Sequence, residues 1–434
     1  MESKFIPIFV FIAVYGLISF EALNKAVAAL LGVMVLLILG VTDVHTAAGK
    51  IDFETIMLLL GMMAMVVVLR KTGFFAMLSV KITKLTGGSP LRILVLFSLV
   101  TAVISAFLDN VTTVLIMVPM VIEITRGVGL NPKIYIITQA MVSNVGGTAT
   151  LIGDPPNVII GSKVGLTFNQ FAAYLALPVI ASLTGVLFYC WLTNRERFRP
   201  IDTNLEKLFS VQLLLEKIQY DFLSIPIDKT FLFKSLGGIT VALLLFVTQT
   251  ITGLTPGVTA LSVAMILFVI TSVDVEEMLR EIDWSTLLFF SGLFMLVGIL
   301  EEKGVIEWIA RTIFLRIGHN PYAMVLTVLW VSGIVSGFID NIPYTIAMIP
   351  IVRLMLESQA VPHNLLWWAL SLGACFGGNL TMIGASANIV SCGMAKKYGY
   401  VITFFEFMRT SAIPTIISLV ISSVILMAYM LILQ

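Results

Sequence analysis

The sequence predicts an all-α polytopic membrane protein made of two related five-span halves. Three observations carry that expectation. Only 12% of the 434 residues are charged and 59% are hydrophobic, with a mean hydropathy of +1.03, whereas soluble domains carry about 25% charged residues. The apolar residues gather into runs of membrane-crossing length, which need ~20 residues each, and the chain has room for about ten to twelve such segments. The chain also repeats itself at a fixed shift.

Shifting the sequence by 231 positions brings Ile51-Asp52 onto Ile282-Asp283, Pro90 onto Pro321, and Asp109-Asn110 onto Asp340-Asn341. Gly146-Gly147 falls on Gly377-Gly378, Gly153 on Gly384 and Asn157 on Asn388. Six of twelve positions match across 146–157, all without a gap. Shared hydrophobicity alone does not align glycine, proline and Asp-Asn, so the halves read as a duplication. Residues 1–192 form the first repeat, 193–235 a polar cytoplasmic linker, and 236–434 the second repeat.

Each half reads in the same order. In the first, apolar runs cover roughly 5–20, 26–41 and 55–70, followed by an amphipathic stretch from Phe74 to Leu85. The first run carries no small-residue cleavage site and reads as a retained span. Residues 91–124 are too long for one crossing and too short for two with a loop. They are expected to form a re-entrant hairpin of two half-depth helices meeting at Asp109-Asn110. Such irregular backbone is tolerated at membrane depth only against protein or water. The next span starts near Ile134 and is expected to break at Gly146-Gly147-Thr148-Ala149-Thr150 and Gly153-Asp154-Pro155-Pro156-Asn157. A last run ends near Leu192.

Five true spans per half is an odd number, so the second half is expected to be inverted relative to the first. Charge agrees with a cytoplasmic linker. The segment Arg70 to Arg92 holds five Lys/Arg and no acid, while 301–323 holds three of each. Basic loops face the cytoplasm. A plasma (inner) membrane location follows.

The net charge of +1 excludes a nucleic-acid footprint. Three cysteines form no disulfide framework and no paired-cysteine metal motif. The sequence has no P-loop lysine, nucleophile elbow or HExxH zinc motif, so an ATP-driven pump or a membrane enzyme has no visible machinery.

The chemistry concentrates at the hairpins and the breaks. Asp109 and Asp340 are intramembrane carboxylates at matching positions, and such groups mark ion or proton paths. Asn110, Thr112 and Thr113 add oxygen ligands in one half, and Asn341, Tyr344 and Thr345 in the other. A hard cation such as Na+ takes oxygen ligands of these kinds. The competing reading is an Asp that caps the second hairpin helix. The paired breaks contribute Gly146, Gly147, Thr148, Thr150, Asp154 and Asn157, and on the other side Gly377, Gly378, Asn379, Thr381, Ser386 and Asn388. Matching interrupted spans are the best sequence pointer to a transporter's binding site, and the competing reading is tight glycine packing. Asp154 aligns with Ala385, so the two sites are expected to differ in charge.

Other polar residues carry less. His45, His319 and His363 fall in expected loops. Lys163 reads as an interfacial snorkel, and Cys375 and Cys392 flank the second break as small apolar residues.

The run Gly-Gly-Thr-Ala-Thr-Leu-Ile-Gly-Asp-Pro-Pro-Asn at 146–157 resembles the signature of the ArsB/NhaD family in the ion-transporter superfamily. Residues 339–343 and 377–388 are especially similar to its melanosomal P protein branch. The resemblance implies the fold of the dicarboxylate/sodium symporters: inverted repeats, each with a re-entrant hairpin and an unwound helix, a homodimeric scaffold, and a transport domain moving as an elevator. Those symporters carry Ser-Asn-Thr at the hairpin tips, where this chain has Asp-Asn-Val-Thr and Asp-Asn-Ile-Pro. That difference favours cation or proton binding.

The expected function is therefore Na+/proton antiport by alternating access. Na+ would sit at Asp109, Asn110, Asn157, Asp340, Asn341 and Asn388. No cofactor is implied beyond Na+ and protons as coupling ions. The partners are the lipid bilayer, a small inorganic ion and a second copy of the chain. Proton-coupled efflux of arsenite or another small oxyacid is the alternative, followed by an ion-coupled anion transporter and a channel.

Overall fold

The computed structural model describes residues 2–19, 23–196, 198, 228–305, 308, 320–358 and 361–433. Most of the linker at 193–235 and His319 lie outside the described residues. Among the described residues, 81% are helical and none is in a strand.

The first half contains α1 (Glu2–Ser19), α2 (Lys25–Ile38), the short α3 (Val44–Ala48), α4 (Phe53–Lys71) and α5 (Phe74–Thr86). It continues with α6 (Pro90–Ser105), α7 (Asn110–Gly127), α8 (Lys133–Gly147), α9 (Pro155–Val164) and α10 (Phe168–Thr193). The second half contains α11 (Lys229–Val247), a single turn at Gln249–Thr252, α12 (Pro256–Thr271), α13 (Val275–Glu281) and α14 (Trp284–Glu302). Then come α15 (Pro321–Ser336), α16 (Asn341–Ser358), α17 (Leu365–Gly377), α18 (Ser386–Lys397) and α19 (Phe404–Leu433).

The 231-residue shift reappears in these boundaries. It carries α4, α6 and α7 onto α14, α15 and α16 residue for residue. The caps explain why. Asp43, Asp52 and Asp109 each accept a backbone N–H that starts a helix, and Asp274 and Asp283 do so at the shifted positions. A side-chain acceptor at the N-cap satisfies a donor the helix leaves free. Proline opens α6 and α15, where its missing N–H costs nothing.

Among the described residues, six helices are long and apolar enough to cross a membrane: α4, α7, α10, α11, α14 and α19. Large apolar side chains cover the outside, including Phe9, Ile38, Phe233, Val269 and Phe405. An apolar exterior of this kind belongs in lipid.

The helices pack in two groups. One comprises α1–α4 and α11–α14, the other α6–α10 and α15–α19. Within each group the halves exchange contacts reciprocally. Helix α4 lies on α12, and α14 on α2. Helix α9 packs against α16 and α17 of the other half, while α18 packs against α7 and α8. Between the groups the principal contacts are not reciprocal: α14 leans on α16, but α4 leans on α9.

Two expectations are refined by the structure. The hairpin arms are longer than half a span. Helices α6 and α7 have 16 and 18 residues, which makes them ~24 and ~27 Å long. The chain break between them is confined to residues 106–109. Gly146 and Gly147 close the last turn of α8, so the span breaks where expected, with 148–154 unwound. Pro155 and Pro156 then open α9, where proline is tolerated.

Candidate functional site

The glycines at the breaks are packing residues. A Cβ on Gly146 would lie 2.3 Å from the Ala102 carbonyl oxygen, and one on Gly377 2.3 Å from that of Gly333. They let α8 touch α6, and α17 touch α15, backbone to backbone. A Cβ on Gly147 would lie 2.3 Å from Asn110 Oδ1, and one on Gly378 2.9 Å from the Gly384 carbonyl.

Two stitches fasten each hairpin to its broken span and a third holds the unwound segment to the following helix, all recurring at the shift but for one carbonyl of the third. Ser105 Oγ donates to the Ser143 carbonyl (2.7 Å), as Ser336 Oγ does to Ala374 (2.6 Å). Thr150 Oγ1 donates to the Ala106 carbonyl, and Thr381 Oγ1 to that of Gly337. Asn157 Nδ2 donates to the carbonyls of Thr148 and Thr150, both at 2.9 Å. Asn388 Nδ2 donates to those of Gly378 (2.8 Å) and Thr381 (3.0 Å). These bonds satisfy carbonyls that a broken helix leaves bare. Asn157 Oδ1 also accepts from Ser371 Oγ (2.5 Å), and Asn388 Oδ1 from Asn144 Nδ2 (3.1 Å). Both amides are thus fully used in holding backbone and in joining the halves.

Asn144 is a residue the sequence analysis does not single out, and it is the hub of the site. Its Nδ2 donates to Asn379 Oδ1 (2.8 Å) as well as to Asn388, and its Oδ1 accepts from Asn110 Nδ2 (3.0 Å). One side chain ties the first hairpin tip to the second break. The available signal is an amide beside Ser143, one turn before the Gly-Gly break.

A cavity of about 280 Å³ opens between the two helix groups. Asn110, Asn144, Asp154 and Asn341 form its buried floor, and Lys25, Asp109, Thr112 and Ser386 its wall. Asn24, Arg70, Asp283 and Ser285 line its exposed rim. Arg70 pairs there with Glu281, and Lys71 with Glu277 at 2.7 Å. The opposite end of the interface is closed. Asp52, the counterpart of Asp283, accepts from Ser162 Oγ at 3.0 Å and lies 3.9 Å from Lys163 Nζ on α9. Lys163 therefore has a carboxylate partner, not only a snorkelling position.

Asp154 stands out on the floor. It is fully buried, and neither carboxylate oxygen closes a hydrogen bond of normal length. Asn110, Cys375 and Asn341 are the polar groups around it. An unpaired buried carboxylate costs several kcal/mol unless a proton or a cation joins it. The Thr113 hydroxyl is likewise buried and unpartnered.

The two hairpin carboxylates are not alike. Asp109 caps α7 through Thr112 N (2.9 Å) and faces the cavity. Asp340 accepts from Ile342 N (3.2 Å), is paired with Lys25, and lies outside the cavity. Lys25 is also absent from the sequence-based set.

The predicted residues therefore divide. Asp109, Asn110, Thr112, Asp154, Asn341 and Ser386 line the cavity. Thr148, Thr150, Asn157, Thr345, Asn379, Thr381, Asn388 and the four glycines form its support, with Thr148 and Thr345 bonding back to helix carbonyls at 2.7 Å. Cys375 faces Asn157 at 3.9 Å, whereas Cys392 sits in an apolar cluster. Among the described residues no three His, Cys, Asp or Glu side chains form a metal-type cluster.

Comparison with known proteins assigns the family. A family described as citrate transporters (CitMHS) matches residues 15–373. The chain belongs to the citrate transporter family. This CitMHS protein is 37% identical to an uncharacterized transporter of Mycobacterium tuberculosis, over 97% of each chain. It is 40% identical to the 46 kDa membrane protein of Mycobacterium leprae, again over 97% of each. It is 32% identical to the P protein of Homo sapiens, covering 91% of this chain and 56% of that one. The CitMHS protein is thus a multi-pass membrane transporter and not an enzyme. The likeness to P proteins expected from residues 339–343 and 377–388 is present, within a family described by citrate transport.

Proposed function

We propose that this CitMHS protein is a secondary active transporter exchanging a cation, Na+ in the first instance, for protons by alternating access. Asp154 carries the reading. A buried carboxylate with neither oxygen held by a normal hydrogen bond, on the floor of a cavity open at one end, favours a proton or a cation beside it. A proton and a desolvated cation compete for the same oxygens, and that competition makes exchange obligatory. Asp109 supplies a second negative charge in the same cavity.

The non-reciprocal contacts between the helix groups support the access mechanism. In the alternate state the pairs would swap, with α4 on α7 and α14 on α18. The cavity would close at Asp283 and open at Asp52. This reading places the halves in inverted orientation, the second helix group as an elevator-like moving body, and the first as the homodimeric scaffold. The linker lies on the cytoplasmic side of the plasma membrane, with no cofactor beyond the coupling ions.

A second reading is cation-coupled transport of a carboxylate such as citrate. The family's description and the Lys25 ammonium on the cavity wall favour it.

Proteoliposomes holding a pH-sensitive dye and given a Na+ gradient separate the two. Proton movement that follows Na+ and disappears in Asp154→Asn supports exchange. Citrate uptake that needs Na+, with no Na+-driven proton movement in its absence, replaces exchange by the second reading. No response to Na+ in folded protein removes both.

A further inference from the structure

The second-half site already contains a cation. Lys25 Nζ pairs with Asp340 and donates to Ser386 Oγ at 2.9 Å, and Ser386 Oγ lies 3.2 Å from the same carboxylate oxygen. Ammonium, hydroxyl and carboxylate form a closed triangle. Beside it, bounded by Tyr15, Lys25 and Asp340, is a void of only about 10 Å³, no larger than one water needs. The Asp340 side chain is 3% exposed. No hydrated ion fits where the lysine stands.

The first half has no such device. Lys25 corresponds to Pro256 and Ser386 to Pro155, so neither member of the triangle is duplicated. What the first half has instead is Asp154, where the second half has Ala385. One half sums to zero charge at its site, and the other is left with two carboxylates to neutralise.

We infer that the Lys25 ammonium is a tethered cation that holds the second-half site in place of a mobile ion, so that ion coupling runs through the first-half carboxylates alone. The inference deepens the ion-coupled reading and rests on it for the mobile ions. It fixes how many of those ions the protein can bind. The lysine comes from α2 in one helix group, while Asp340 and Ser386 belong to the other. A lysine side chain is flexible enough to keep its partner through a modest shift, as a compact charge on a four-carbon stem.

Radiosodium binding to the purified full chain, in alkaline buffer, tests it. Lys25→Gln is expected to bind about one more Na+ per chain than wild type, and Lys25→Gln/Asp340→Asn to lose that extra ion. Lys25→Arg, which retains a tethered cation, is expected to match wild type. Lys25→Cys gives the control within one sample. It should gain the extra Na+ and lose it after reaction with an aminoethyl methanethiosulfonate, which rebuilds an ammonium on the side chain. The native cysteines are all buried. Where Lys25→Gln does not fold, this cysteine variant decides the matter.

Equal binding by wild type and both unmodified Lys25 variants would overturn the inference. So would loss of a wild-type Na+ in Asp340→Asn, since Asp340 would then hold a mobile ion. Failure of the exchange reading looks different: wild type would bind no Na+, yet Lys25→Gln would still gain an ion if the lysine occupies a cation site.

Discussion

Asp109 and Asp340 occupy the same register position of a duplicated chain, yet one faces an open cavity beside a second carboxylate and the other is sealed by a lysine. The residues retained in both halves are those that hold backbone: Gly146 and Gly377, Ser105 and Ser336, Thr150 and Thr381, Asn157 and Asn388. Three positions at or beside the cavity differ, Asp154 against Ala385, Lys25 against Pro256 and Asn144 against Cys375, while Asn110 and Asn341 line it from both halves. Duplication has kept the support symmetric while the chemistry diverged.

The largest expected break in that comparison is Asp154→Asn. Coupled flux should fall about 1000-fold, near 4 kcal/mol, measured in dye-loaded proteoliposomes. Ala385→Asn, at the matching position, should leave more flux than that. If the two variants are equally damaged, the halves are not chemically distinct.

Next come the packing glycines, which should behave alike. Gly146→Ala and Gly377→Ala should each cost about 3 kcal/mol, because backbone rather than a flexible side chain stands in the way. Detergent melting curves would show it, and a large difference between the two would break the structural symmetry.

Asn157→Ala and Asn388→Ala should each cost about 2 kcal/mol by leaving two buried carbonyls unpaired. Both should lower stability more than they alter the Na+ dependence of flux. A change in Na+ affinity without loss of stability would return these amides to the ligand set.

Asp109→Asn should weaken apparent Na+ affinity about tenfold, or 1.4 kcal/mol, while its amide oxygen retains the cap to Thr112. Glu281→Ala, at the partly exposed rim, should cost under about 1 kcal/mol of stability. Any strong effect there would mean the rim pair controls closure.

Much of this was legible in the sequence because its determinants are local. Pro90, the Asp-Asn pairs, Pro155-Pro156 and the glycines set helix ends wherever they occur, so the register, the hairpins and the breaks could be read from one chain. Asp154 could be noticed because a carboxylate sat where the other half had alanine. Lys25 could not, since its partner is 315 positions away and its own surroundings look like an ordinary helix start. The glycines mark the breaks and are also contacts, and the second role is not legible because the close neighbour belongs to another helix. The hairpin arms were read as short because the apolar count, not the helix length, set the expectation.

The exchange of contacts between halves also bears on how the protein is made. Asn157 waits for Ser371, 214 positions later, and α9 meets its second-half neighbours, α16 and α17, only as that stretch is made. At ribosomal speeds of 5–20 residues per second that interval is roughly 10–40 s. Throughout it, Asp154 and the first unwound segment must be sheltered by water or by the insertion machinery. A chain halted after its first half would carry Asp109, Asn144 and Asp154 but lack Asn341, which completes the cavity floor.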